Sequence, residues 1–374
     1  MADTRTPDFP SSMRPVDFAD IPGWDDDDHT AAFAAFLRTC EGLQSRPTRT
    51  RVNGVSAQAL SAVCRLVRQD RPISARAFFE QHFTPMAVER EGLLTGYFEP
   101  QLRASAERTG EFRHPLYARP PDLVELPRPP DELGLPDTLT WGRRIGPQGS
   151  ARYEPFPDRG AIMAGALDGQ GLEIAWLDDP IDVFFTHIQG SARLAMTDGS
   201  VRRVNFAGKS GHPYTPIGRT LVERGAMALE DVTMQSIRDW LNAADDDDRD
   251  AVLATNRSYI FFAMTDDTSP ELGPVAAAGV PLTPGRSLAV DRHLHTFGSP
   301  IFVHSQEGLP GDQRPLQRLM IAQDTGSAIV GPARGDIFIG SGHAAGALAG
   351  RVNMAVTFIV LVPKSPDLMQ PISQ

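Results

Sequence analysis

Cysteine and lysine are nearly missing from this chain of 374 residues, which has two cysteines, Cys40 and Cys64, and only Lys209 and Lys364 among its 36 basic side chains. Two thiols are too few for a disulfide-rich scaffold, and their spacing is not that of a metal site. Positive charge is also scarce: 36 Lys+Arg against 47 Asp+Glu leaves a formal charge of −11. That excludes a generic basic nucleic-acid binder. The longest clean apolar run, Met354 to Val362, falls far short of the ~20 residues that cross a bilayer as a helix. No transmembrane segment is expected. Met1 to Pro22 contains Arg5 and Arg14 but no apolar core of a secretory leader, so the chain as numbered is expected to carry no export signal.

What is present suffices for a folded protein. Hydrophobic residues make up 41% of the chain, and the length suits two domains or one with a large insertion. The 33 glycines and 32 prolines imply dense turns, as in a mainly β or α+β protein.

The first hundred residues read as helical. Asp28 and Thr30 are candidate caps for a first helix, Ser74 precedes a third, and Phe33, Phe36, Leu37 and Cys40 form one apolar stripe while Leu60, Val63, Cys64 and Val67 form another. Both sulfurs then face a helix–helix contact. Two buried thiols and a disulfide both fit, and a disulfide would require an oxidising compartment. From Leu93 onward, short apolar runs bounded by Gly, Pro and Asp predict strands at Leu93 to Phe98, Leu172 to Leu177 and Val201 to Phe206. Pro120 to Pro136 reads as a surface excursion. Asp231 to Ala244 has helical spacing, and the acidic runs Asp25 to Asp28 and Asp245 to Asp248 read as solvated loops or caps. Strand signals crowd between Ser287 and Val362, which favours a compact barrel over a βαβ series.

Common nucleophile and nucleotide patterns are missing: there is no Gly-x-Ser-x-Gly, Walker loop, His-Glu-x-x-His or dinucleotide fingerprint. His293, His295 and His304 read as ordinary surface or core histidines rather than zinc ligands, and no cofactor is expected. Three aspartates stand out because each abuts an apolar strand: Asp291 after Leu288-Ala289-Val290, Asp324 after Met320 to Gln323, and Asp336 before Ile337-Phe338-Ile339. A carboxyl at the mouth of a small barrel is partly desolvated and suited to general-acid work. Asp324-Thr325-Gly326 also admits an aspartic protease, but such an enzyme needs two copies of the motif or a dimer, and one copy occurs here.

The blocks Leu94-Thr95-Gly96-Tyr97-Phe98-Glu99-Pro100, Ile188-Gln189-Gly190-Ser191, and Phe206 through Lys209, His212 and Tyr214 resemble, in order, the membrane-bound lytic transglycosylases of the MltA type. So do Met234 to Arg238, Val280-Pro281-Leu282 and the segments around Asp291, Asp324 and Asp336, which are similar to that family's C-terminal 3D domain. The resemblance implies a double-psi β-barrel domain built from both chain ends with N-terminal helices, residues 1–103 plus 263–374, and an inserted β-rich glycan-binding domain, residues 104–262, with a glycan groove at the junction. It further implies cleavage of the β-1,4 bond between N-acetylmuramic acid and N-acetylglucosamine, leaving a 1,6-anhydro end. Asp336 would be the acid and then the base, Asp324 and Asp291 its supports. Thr95, Tyr97, Glu99, Gln189, Ser191, Lys209, His212 and Tyr214 would contact the glycan strand. A non-catalytic glycan-binding module is the alternative. The family's members are exported lipoproteins, so periplasmic placement near the outer membrane and other cell-wall enzymes as partners are implied, with a leader removed ahead of the numbering.

Overall fold

The computed structural model describes residues 13–45, 48–51, 55–69, 74–147, 151–265 and 269–364. The first twelve residues, on which the reading of a missing leader partly rests, lie outside that set. Backbone contacts divide the chain into two compact units, Met1–Phe98 with Ser269–Gln374, and Glu99–Thr268.

In chain order the first unit opens with β1 (Met13–Pro15), α1 (His29–Ser45), α2 (Ala57–Gln69), α3 (Ala75–His82), β2 (Phe83–Val88) and β3 (Gly92–Glu99). The second unit supplies β4 (Gln101–Ser105), β5 (His114–Tyr117), β6 (Leu123–Glu125), β7 (Trp141–Ile145), β8 (Arg152–Glu154), α4 (Arg159–Met163), β9 (Glu173–Leu177) and α5 (Pro180–Gln189). It continues through β10 (Ser191–Met196), β11 (Val201–Lys209), α6 (Ile217–Glu223), α7 (Met234–Ala243), α8 (Asp246–Thr255) and β12 (Ile260–Thr265). The chain then returns to the first unit with β13 (Ser287–Val290), β14 (Pro300–Ser305), β15 (Leu316–Asp324), β16 (Arg334–Ser341), α9 (His343–Ala349) and β17 (Asn353–Pro363).

In the first unit the strands run β1-β2-β17-β14-β15-β13-β16-β3, and β17 also pairs with β3. Six strands therefore close into a ring, which leaves no open edge among them. The strands are apolar because they bury one or both faces: β13 is buried throughout, and Phe302, Met320, Ile337, Phe338 and Phe358 are inaccessible. The N-terminal helices pack onto this body through Phe36, Phe78, Phe79 and Phe83, whose rings meet 5.4 to 6.1 Å apart. Buried Gln323 hooks α1 to β15, since its side-chain amide donates to Ala35 O at 2.9 Å and Thr39 Oγ1 at 2.8 Å.

Cys40 and Cys64 form a disulfide between α1 and α2, separated by 24 residues in sequence. Closing a loop of that length removes unfolded-state entropy worth about 3 kcal/mol in the chain-entropy picture. Cys40→Ser is accordingly expected to lower unfolding stability by about that amount, measured by urea titration of oxidised wild type against the variant.

The acidic run Asp25–Asp28 is only partly a solvated cap. Asp28 does accept from Ala31 N at 3.0 Å at the start of α1, but Asp27 is drawn inward, accepting from Arg286 Nη1 at 2.9 Å and Leu319 N at 2.8 Å. A buried carboxylate needs such partners, and Arg286 lies 259 residues away. Asp245 behaves as a cap, accepting from Asp248 N at 2.8 Å, while the rest of its run begins helix α8 rather than a loop.

The second unit holds a six-stranded sheet, β12-β11-β10-β4-β9-β5, and a three-stranded one, β6-β7-β8. It is less β-dominated than expected, with helices α4 to α8 among the described residues. Part of the expected surface excursion, Leu123–Glu125, pairs with β7. Glu99, expected in a glycan groove, is instead wholly inaccessible, held by Arg203 with N–O distances of 2.6 and 3.1 Å and by Arg193 at 3.8 Å. Arg193 and Arg203 face each other directly across β10 and β11, a repulsive pairing that the carboxylate between them reverses. His212 is inward too, its Nε2 donating to Phe156 O at 2.6 Å.

Candidate active site

Side chains two apart on a strand share a face, so Thr95 and Tyr97 on β3, and Arg334, Asp336 and Phe338 on β16, project in sets. The fold brings the sets together. Thr95 Oγ1 donates to Asp336 Oδ1 at 2.8 Å, and Tyr97 OH donates to Asp324 Oδ2 at 2.9 Å. The Tyr97 and Phe338 rings lie 5.4 Å apart. Asp324, at the end of β15, and Asp336 both pair in register with Ala289 of β13, one on each side. Two strand spacings set their backbones about 10 Å apart. Gly335 lets β16 run tightly over the core, since a side-chain carbon there would come within 2.7 Å of the Phe358 ring.

The two carboxyls are differently equipped. Burial pushes Asp336 up to about 6, although the Thr95 hydroxyl and the Arg334 charge favour its ionised form and Asp324 opposes it. Asp324 is also raised by burial, but backbone N–H groups of Thr325 and Ala277 and the Tyr97 phenol all hold it back. Burial and the neighbouring carboxylates keep Tyr97 a neutral phenol. Arg334 completes the cluster, its Nη2 donating to Thr95 Oγ1 at 2.8 Å. Sequence reasoning did not single out Arg334, yet its position two residues before Asp336 was the available signal. Removing the Thr95 hydroxyl in Thr95→Val deletes a donor to the ionised carboxylate, so the Asp336 titration should move above 6, as followed by carbon-13 NMR of labelled aspartate.

Asp291 makes no hydrogen bond to either of these acids. Its Oδ1 accepts from His293 N and its Oδ2 from Gly331 N, both at 2.9 Å, so it fastens the loop that delivers β16. His295 is buried beside it, donating to Pro332 O at 2.9 Å, and desolvation holds it near 4. Both act on the approach to Asp336 rather than on its carboxyl.

The remaining expected contacts lie in the second unit. Gln189 ends α5, where Gly190 takes a left-handed φ of 77° as the cap, and buried Ser191 begins β10 opposite Asn205. Lys209 ends β11, and Tyr214 is a half-buried phenol raised by desolvation.

Comparison with known proteins adds to this geometry. The family model described as the MltA specific insert domain matches residues 93–263, and the 3D domain model matches residues 286–362. A crystal structure of membrane-bound lytic murein transglycosylase from Agrobacterium tumefaciens is 42% identical, with 94% of this chain and 98% of that one covered and a TM-score of 0.85. A monoclinic crystal structure of MltA from Neisseria gonorrhoeae is 34% identical, covering 97% and 95%, with a TM-score of 0.75. Membrane-bound lytic murein transglycosylase A of Vibrio cholerae is 32% identical over 263 residues, 69% of this chain, and the match spans 62% of that relative's length.

Proposed function

Because this chain belongs to the MltA family of membrane-bound lytic murein transglycosylases, we propose that it cleaves peptidoglycan glycan strands at the β-1,4 bond between N-acetylmuramic acid and N-acetylglucosamine. One observation carries this reading: a buried carboxyl, Asp336, that accepts from the Thr95 hydroxyl on a closed strand ring and is pushed up by desolvation to about 6. An acid poised there can protonate the leaving oxygen close to neutral pH. As a carboxylate it then takes the proton from the C6 hydroxyl of the same muramic acid, whose oxygen bonds to C1. The C1–O bond breaks, no water is consumed, and the product ends in a 1,6-anhydro ring. Hydrolytic glycosidases instead need a pair of carboxyls, to activate water or to form a covalent intermediate; an internal nucleophile removes that need.

In this reading Asp324, clamped by Tyr97, stabilises positive charge developing at C1, and Asp291 holds the loop. Thr95, Gln189, Ser191, Lys209 and Tyr214 supply polar contacts to sugar hydroxyls and acetamido groups. The ring is a double-psi barrel that carries the chemistry, the inserted unit binds glycan, and the protein works in the periplasm alongside other wall enzymes. Incubation with purified sacculi tests the proposal. Soluble fragments should appear in the supernatant; sedimentation of the protein with the sacculi and no released fragment would instead mark a non-catalytic glycan-binding module.

A further inference from the structure

The inserted unit holds a cavity of about 660 Å³ in which neither Asp336 nor Asp324 takes part. Its walls come from β5, β9, α4, α5 and α8. Arg159, at the start of α4, is the unusual member: it is 3% exposed, yet among the described residues no carboxylate pairs with it. Its Nε donates to Asn256 O at 2.9 Å, Nη2 to Ser258 O at 2.6 Å and Nη1 to His187 Nδ1 at 2.9 Å. Three of its five N–H groups are thus spent on neutral acceptors, and the Phe184 and Tyr259 rings lie 4.8 and 5.1 Å from its carbon. A buried charge without a counter-ion is costly. Desolvation accordingly draws Arg159 down to about 10.

The cavity lining also includes Arg113, exposed and likewise without a carboxylate partner among the described residues, and Arg108 stacked 5.6 Å over Trp176. Acids are there as well, Glu173 and Asp168 lying close enough to Tyr117 to help hold its phenol up at about 12. Guanidinium groups for carboxylates, acids for an amine and a flat indole ring, all lining one cavity, describe a site for a zwitterionic peptide. The volume is that of an ordinary small-ligand pocket.

We propose that this cavity binds the short peptide borne by the muramic acid residues of peptidoglycan, with a peptide carboxylate on Arg159 and Arg113 and the chain lying along Trp176. The proposal rests on the peptidoglycan reading above, and it gives the inserted unit a role that the glycan alone does not require: reading the peptide substitution of the strand.

Isothermal titration of the full chain with the sugar-free stem tetrapeptide, L-Ala-γ-D-Glu-meso-diaminopimelyl-D-Ala, tests it. Wild type should bind the peptide, and Arg113→Glu and Trp176→Ala should each weaken binding by roughly tenfold or more. Both variants should still cleave peptide-free glycan strands at the wild-type rate, while KM for peptide-bearing strands rises. Arg113 and Trp176 are not core residues, so these variants should fold even where an Arg159 variant does not. Asp336→Asn should keep full peptide affinity, which separates failure of this proposal from failure of the catalytic one. The assignment is overturned by absence of peptide binding in wild type, by equal affinity for the peptide with its carboxylates amidated, or by equal affinity for an all-L peptide of the same charges.

Discussion

Asp336→Asn is expected to reduce release of glycan fragments by ~10³-fold or more, since a single general acid commonly contributes 10²–10⁴ and this one serves in both proton transfers. The substitution keeps size and shape. The amide can still accept from the Thr95 hydroxyl that now lies 2.8 Å from the carboxyl, so thermal unfolding should not fall. Removing a group that burial already disfavours in its charged form costs the fold nothing at neutral pH. The wild-type rate should also decline as pH rises through about 6, because the proton needed for the leaving oxygen is lost there. Substantial activity in a folded Asp336→Asn protein would remove Asp336 from the mechanism.

The second large effect concerns the fold rather than the chemistry. Glu99→Ala should destabilise the protein by roughly 3–5 kcal/mol, the usual consequence of leaving a buried charge without its partner. Arg203 is 1% exposed in its side chain, Arg193 is 12% exposed, and the two stand opposite each other across β10 and β11. Without the carboxylate they repel inside the inserted unit. Equilibrium unfolding in urea would measure the loss, and Glu99→Ala combined with Arg203→Met should recover part of it, since two apolar replacements leave less unpaired charge than one. An unchanged midpoint for the single variant would mean that the pair is not the anchor its burial implies.

These cases also show where sequence stops being informative. The strands of the first unit were readable because β13 to β17 are apolar runs cut by Gly, Pro and Asp, and Ser74 was readable as a cap because capping is local: it accepts from Ala77 N three residues on. The disulfide was half-readable, since helical spacing brings Cys40 and Cys64 to facing stripes without saying whether they bond. Glu99 was misread because its motif looks like a continuation of Thr95 and Tyr97, while its partners lie about a hundred residues downstream. Asp27 was lost in an acidic run for the same reason. Helix α5 was missed because the recognised block Ile188 to Ser191 takes in only its last two residues, although Asp179 as cap, Pro180 in the first turn and Gly190 at the end were its ordinary signals. The three aspartates were visible as residues at strand ends, but their division of labour was not. That needed Thr95, 241 residues from Asp336, and Tyr97, 227 residues from Asp324.

The mass of the new chain end decides the central claim. After digestion of purified sacculi by the full chain, mass spectrometry should find muropeptides lighter by one water than their reducing counterparts, with the anhydro ring intact. Ordinary reducing ends would mean that water attacks C1, and a single carboxyl passing one proton across the bond would no longer describe the reaction.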